Sequence, residues 1–137
     1  MEDSVMMKTK KGFTLTEILI VVVIIGVLAS LVIPRFTNQS ERGVVAEAVQ
    51  MLSAIRQGEV SYALENSGSY LDMDTTVAGD DAKWAQIGID KPPTTNFNYT
   101  VVSGNATATR NGGDFDTTTV ILNINGTWTG STHPFHP

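Results

Sequence analysis

The stretch "KKGFTLTEILIVVVIIGVLASLVIPRF" occupies residues 10–36 of a chain of 137 residues and contains its longest apolar run. Within residues 18–33 only Ser30 is polar, so this segment has the composition of an apolar helix. The 21 residues of the range 13–33 would form a helix of roughly 31 Å at about 1.5 Å per residue. That length is close to the hydrocarbon thickness of a bilayer and predicts a membrane-spanning helix.

Charged residues at the start of the stretch set its orientation and raise a question. Lys8, Lys10 and Lys11 precede the apolar run, and basic residues hold that end of a span on the cytoplasmic side. Glu17 lies inside the run, where a carboxylate is costly in lipid. A secretory signal peptide would need a small-x-small cleavage site, which the sequence lacks. A plain signal anchor leaves Glu17 as a tolerated interfacial charge.

A resemblance to a known family accounts for the whole stretch. Residues 10–34 resemble the N-terminus of type IV prepilins and of type II secretion pseudopilins. The resemblance implies a leader over residues 1–12, cleavage between Gly12 and Phe13 by a prepilin peptidase, and N-methylation of Phe13. Glu17 would then be the fifth residue of the mature chain, where the family places its glutamate. Its implied role is assembly, because it would meet the new terminal amine of a neighbouring subunit in a low dielectric.

Two further positions in this stretch bear on how the helix bends. Gly26 either softens the helix inside a filament, as the resemblance implies, or permits close contact between membrane helices. Pro34 lacks a backbone donor, which predicts a kink where the helix leaves the membrane.

The next segment, residues 34–66, has an amphipathic pattern. Val45, Ala48, Leu52 and Ile55 recur at spacings of three and four residues, which predicts a helix with one face against a core. Glycines within it lower helix propensity, so small bends are expected at Gly43 and Gly58.

Residues 67–95 are predicted to be a connecting loop between helix and sheet. Within this loop "DDAKWAQIGI" favours a short helix that is capped by Asp80 or Asp81. Trp84 and Ile87 should dock inward.

Residues 96–137 are predicted to be an antiparallel sheet headgroup with an irregular tail. The expected strands are "NFNYTVV", "ATATR", "TTTVILNI" and residues 127–129, in a meander. "SGN" and "NGGD" should form turns, and Asn125-Gly126 is a hairpin signal. The predicted fold class is α+β, pilin-like: a long N-terminal helix, half membrane-spanning and half amphipathic, packed on a small antiparallel sheet.

Composition excludes several kinds of function. The absence of cysteine removes thiol catalysis, zinc–thiolate sites and the C-terminal disulfide that many type IVa pilins carry. A formal net charge of −5 with scattered basic residues argues against nucleic-acid binding. No nucleophile–base pattern or phosphate-binding loop is present, so an enzyme and an organic cofactor are not predicted.

Acidic and histidine residues near loops are candidate metal ligands. The pairs Asp72/Asp74 and Asp114/Asp116 offer oxygens that calcium prefers, but neither pair continues into a calcium-binding loop, and solvated loop carboxylates are the alternative. His133 and His136 are expected in a flexible tail rather than at a metal.

The leading hypothesis is a type IV pilin, a homopolymer subunit made as a single-pass inner-membrane precursor and then carried in an extracellular pilus. Its partners would be other copies, the prepilin peptidase, the inner membrane and the pilus or secretion assembly machinery. The alternative is a pseudopilin of a type II secretion system, in a periplasmic filament. A second alternative is a membrane-anchored binding domain that does not polymerise.

Overall fold

The structure is a computed structural model, which describes residues 12–137, without the side chains of residues 33–37. Its longest element is helix α1, Leu15–Glu65. The chain divides into two compact units, with the boundary between Gln39 and Ser40. Because the description begins at residue 12, the predicted leader lies outside the described residues except for Gly12, and Lys8, Lys10 and Lys11 lie outside them as well.

The part of α1 in the second unit presents the predicted apolar stripe to a core. Val45, Ala48, Leu52 and Ile55 are all buried, which confirms the helical pattern. A glycine on the same part of α1 also allows close packing. A Cβ placed on Gly58 would lie 2.4 Å from the carbonyl oxygen of Ile87. Glycine is therefore needed at this position for α1 to approach the backbone of Ile87 so closely.

The sheet is an antiparallel meander of four strands in the order β1-β2-β3-β4. Its inner face is apolar because alternate residues of β2, β3 and β4 point toward α1 and are buried. The expected inward face of β2 is confirmed. The strands are β1 Met73–Asp74, β2 Phe97–Val102, β3 Asn105–Arg110 and β4 Thr119–Leu122.

The predicted turn between β2 and β3 is confirmed as a two-residue hairpin. Val102 pairs with Asn105, and the two residues between them, Ser103 and Gly104, both have positive φ, 50° and 76°. Such a turn matches the right-handed twist of the strands.

The first strand is a correction to the sequence prediction, which assigns residues 67–95 to loop and a short helix. β1 forms because Met73 is buried and pairs with Val101, while Asp74 pairs with Thr100. The strand stops at Asp74, where its side chain accepts hydrogen bonds from the amide and hydroxyl of Thr76 and starts a turn.

The short helix α2, Asp81–Gln86, is present as predicted, and Trp84 and Ile87 are buried as expected. The predicted capping is wrong in detail. Asp80 occupies the N-cap position without a side-chain cap bond. Its carboxylate instead accepts the amide proton of Asp74 at 2.7 Å and pairs with Lys83 at 2.8 Å.

The predicted strand at residues 127–129 is also wrong. A turn does form at Asn125-Gly126, but beyond it only one isolated bridge joins Leu122 and Trp128. Side-chain hydrogen bonds are also present in this segment. The side-chain amide of Asn123 donates to the hydroxyls of Thr127 and Thr129.

The C-terminal segment, residues 131–137, covers the outer edge of β4. The hydroxyls of Thr132 and Ser131 accept the amide protons of Thr119 and Ile121, at 2.8 and 3.0 Å. An edge strand whose amides are satisfied in this way is protected from pairing with other strands.

Candidate assembly site

The N-terminal end of α1 carries the carboxylate that the sequence singles out. Glu17 accepts hydrogen bonds from the backbone amide of Thr14 at 2.8 Å and from its hydroxyl at 2.9 Å. In return, the amide of Glu17 donates to the hydroxyl of Thr14 at 3.2 Å. This reciprocal pattern is a capping box, in which a Thr and a Glu three residues apart satisfy each other's amides.

The capping box gives Glu17 partners within its own chain. Both carboxylate bonds run to one oxygen, Oε2, so Oε1 is left for another donor. The sequence contains the signal for this arrangement, "TLTE", since Thr14 precedes Glu17 by three residues. The role of Thr14 is nevertheless absent from the sequence prediction.

The side chains that follow the capping box are apolar and exposed. One window, Leu15–Val32, has a mean hydropathy of 2.8 and is long and apolar enough to cross a membrane. Phe13 is 85% exposed and Leu15 82% exposed. Apolar area of this extent is unfavourable in water and favours a bilayer or other apolar helices as its surroundings.

The two predicted bending positions lie within α1. A Cβ on Gly26 would meet nothing within 4 Å, so no contact inside the described part of the chain requires glycine there. The hydroxyl of Ser30 donates a hydrogen bond to the carbonyl oxygen of Val27 at 2.7 Å. Pro34 lies between the two ends of α1, but its side chain is not among those described, and its kink stays a prediction.

A second polar cluster lies in the second unit and joins three elements. The Oε1 atom of Glu41 on α1 lies 2.7 Å from Nε of Arg110 on β3. The same atom lies 3.2 Å from Nε2 of His133 in the C-terminal segment. The hydrogen bond from Arg110 is the main reason that the pKa of Glu41 lies below its usual value. The expectation of His133 in a flexible end is wrong, because His133 is fully buried.

Aromatic rings surround this cluster. Phe115 lies 5.1 Å from the ring of His133 and 5.5 Å from the ring of Phe135. The guanidinium of Arg42 lies over Phe135 at 4.6 Å, a distance typical of a cation–π contact. The burial of His133 could not be recognised from sequence because its carboxylate partner, Glu41, lies 92 positions earlier in the chain.

Another buried acid, Glu59, follows Ile55 by four residues and so continues the spacing of the buried stripe, a signal that the sequence prediction did not use. It is fully buried, and its Oε2 accepts the amide proton of Leu71 at 3.0 Å. Its Oε1 and the indole nitrogen of Trp84 have no hydrogen-bond partner in the described part of the chain. Burial raises the pKa of Glu59.

The calcium candidates are each engaged locally or solvated. Asp72 accepts the amide of Ser103 at 2.7 Å, and Asp116 accepts the amide of Gly112 at 2.7 Å. Asp114 is exposed. Within residues 12–137 no three acidic or histidine side chains converge as metal ligands.

Comparisons with known proteins agree with the N-terminal features. The family model described as "Prokaryotic N-terminal methylation motif" matches residues 7–33. No solved structure matches the chain.

Two kinds of curated relative share part of the sequence. A "Fimbrial protein" of Pseudomonas aeruginosa is 46% identical over 59 residues, which are 43% of this chain and 38% of the relative. A "Type II secretion system core protein G" of Dickeya chrysanthemi is 42% identical over 62 residues, 45% of this chain and 40% of the relative. The corresponding protein G of Klebsiella pneumoniae is 43% identical over 61 residues, 44% of each chain.

The chain thus spans about two fifths of the length of the curated relatives it matches. The methylation motif lies at the start of the chain, and the structure adds a long apolar helix and an antiparallel sheet. The N-terminal segment of this chain is thus similar to that of a fimbrial protein and of type II secretion core proteins G, and it carries the prokaryotic N-terminal methylation motif.

Proposed function

We propose that this protein is the structural subunit of a type IV pilus. It would be made as an inner-membrane precursor with its N-terminus in the cytoplasm, cut between Gly12 and Phe13, and methylated on Phe13. The observation that carries this proposal is the methylation motif over residues 7–33, which includes an exposed apolar helical span with one carboxylate near its start.

The role of Glu17 follows from the cost of charge in an apolar setting. Its Oε2 is held by Thr14, so Oε1 can accept a hydrogen bond from outside the chain. Cleavage would expose a cationic amine on Phe13. When the amine of one copy meets Glu17 of another, the attraction in low dielectric offsets the desolvation of both groups. Apolar side chains of neighbouring helices would then supply the remaining cohesion.

A pseudopilin of a type II secretion system is the second candidate. The relatives named core protein G support it with identities of 42% and 43%. The absence of cysteine also separates this chain from pilins that close a C-terminal loop with a disulfide. In that case the filament would stay in the periplasm and serve export.

Processing can be tested by mass spectrometry of the mature protein from its host. We expect a chain that begins with N-methyl-Phe13. An intact leader, or cleavage after Ala29, would refute processing by a prepilin peptidase.

Assembly can be tested with the variant Glu17→Gln, which keeps size and the acceptor oxygen but removes the charge. We expect filaments to be lost or strongly reduced while the protein still inserts in the membrane. The matched control is Glu65→Gln, at the exposed end of α1. Unchanged filaments in Glu17→Gln would show that the charge of Glu17 is not needed for assembly. A wild type that inserts in the membrane and forms no filaments would favour the membrane-anchored domain that does not polymerise.

Electron microscopy at native expression separates the two filament types. Filaments that extend beyond the cell envelope would favour the pilin, and filaments confined to the periplasm would favour the pseudopilin.

A further inference from the structure

A cleft of about 240 Å³ opens on the second unit between α1 and the loop before β2. Its walls are partly apolar and partly polar, and one carboxylate stands at its side. The lining consists of Glu47, Met51, Pro92, Pro93, Thr95, Asn96, Phe97 and Tyr99.

The carboxylate of Glu47 supplies the charge of this cleft. Glu47 is exposed, and among the side chains that the structure describes none forms a salt bridge with it. The pKa of Tyr99 is raised to about 12 by burial and by the negative charge of Glu47, so the Tyr99 hydroxyl keeps its proton at neutral pH.

This combination suits a basic side chain. Arginine and lysine place an apolar stem against apolar walls and hold a cationic head near a carboxylate. Met51 and the two prolines provide apolar surface for the stem, Thr95 and Asn96 are polar, and Glu47 provides the charge.

Most cations of the second unit already have partners. Arg110 pairs with Glu41, Lys83 with Asp80, and Lys91 with Asp81. The guanidinium of Arg56 donates to the carbonyl of Ile124 at 2.8 Å.

Arg42 differs from these cations. It is exposed and lies over the ring of Phe135, and within the described residues no carboxylate forms a salt bridge with it. We propose that Glu47 and its cleft receive Arg42 of a neighbouring copy of this chain. This inference rests on the proposed filament function.

The positions of the two residues on α1 favour a contact between copies. Glu47 follows Arg42 by five residues, which is about 7.5 Å along the helix and about 140° around it. The two side chains of one copy therefore face different sides, so a contact between these positions requires two copies. A head-to-tail contact of this kind repeats from copy to copy and builds a filament where the rotation does not close a ring.

Charge exchange tests the pairing in the full chain expressed in its host. We expect Glu47→Arg and Arg42→Glu each to reduce filament yield by about tenfold through like-charge contact. The double variant with both changes should recover most of the yield. Glu65→Arg, the same charge reversal at the exposed end of α1, should assemble like the wild type.

Covalent crosslinking gives a second readout, and the chain helps because it has no cysteine. A double variant with Arg42→Cys and Glu47→Cys, treated with a short bismaleimide, should give a ladder of multimers. Each single variant should give no product larger than a dimer.

The outcomes separate the two proposals. Filaments of the double cysteine variant that give no ladder, or a double charge variant as defective as the single ones, would overturn the pairing and leave the filament function standing. Rescue of Glu47→Arg by Arg35→Glu instead of Arg42→Glu would also overturn it. A wild type that forms no filaments would overturn both proposals.

Discussion

The Nε2 atom of His133 lies 3.2 Å from Oε1 of Glu41, a residue 92 positions earlier in the chain. The same oxygen accepts the Nε proton of Arg110 at 2.7 Å. One carboxylate thus connects α1, β3 and the C-terminal segment. In a chain without cysteine, this network holds the C-terminal segment on the sheet by hydrogen bonds and charge.

The first prediction concerns His133. The variant His133→Ala should lower the free energy of unfolding by about 2 kcal/mol, because it leaves a cavity and weakens the pairing of a partly buried carboxylate. Urea unfolding of the full chain in detergent can be followed by fluorescence, since both tryptophans, Trp84 and Trp128, lie in the second unit. His136→Ala, at an exposed position, is the control and should change nothing.

The second prediction concerns acid sensitivity through Glu41. Because Arg110 lowers the pKa of Glu41 in the folded state, the charged form stabilises the fold. That stabilisation is present above the unfolded pKa of about 4.5 and is lost as the pH falls through the lower folded value. We expect the unfolding midpoint of the wild type to drop between about pH 5 and pH 3.

Glu41→Gln should be less stable at neutral pH and should lose less stability on acidification. The pKa of Asp80 is also lowered, chiefly by Lys83, so the Glu41→Gln variant should keep part of the acid sensitivity of the wild type. The double variant with Asp80→Asn should flatten the curve further. An acid slope in Glu41→Gln equal to that of the wild type would contradict the assignment.

The third prediction concerns Glu59, whose pKa is shifted in the opposite direction to that of Glu41. Burial raises the pKa of this carboxyl, so the folded state holds its proton more tightly than the unfolded state. The stability contributed by the protonated form is complete below the unfolded pKa and is lost as the pH rises through the folded value.

Glu59→Gln should therefore raise stability at neutral and alkaline pH, because the amide avoids ionisation in the core and still accepts the amide proton of Leu71. Chemical unfolding between about pH 4 and pH 9 measures the difference. Glu65→Gln, on the exposed end of α1, should not alter the curve. A Glu59→Gln protein less stable than the wild type at pH 8 would show that the charged carboxylate is needed.

The features of the fold that depend on the local sequence pattern could be predicted from hydrophobic periodicity. The apolar span, the buried stripe of α1, the short helix α2 and the inward face of β2 all follow from spacings within a few residues. The motif around Glu17 is equally visible because its residues are contiguous, and its match to the methylation family is confirmed. Local chemistry is sufficient for each of these features.

Features that depend on distant residues were not predictable. Strand β1 exists because Met73 meets Val101, and His133 is buried because Glu41 lies across from it. The strand expected at residues 127–129 is reduced to one bridge between Leu122 and Trp128. In each case contacts that the local pattern does not specify decide the outcome.

The last prediction compares two glycines on α1. Gly58→Ala should destabilise the second unit by about 1–3 kcal/mol, because its methyl group would lie 2.4 Å from the carbonyl oxygen of Ile87 and force α2 away. Gly43→Ala is the matched variant, since nothing lies within 4 Å of its Cβ. It should gain up to about 1 kcal/mol from helix propensity. Urea unfolding of the full chain in detergent distinguishes the two signs, and equal stabilisation by both substitutions would show that α1 and α2 are not in close contact at Gly58.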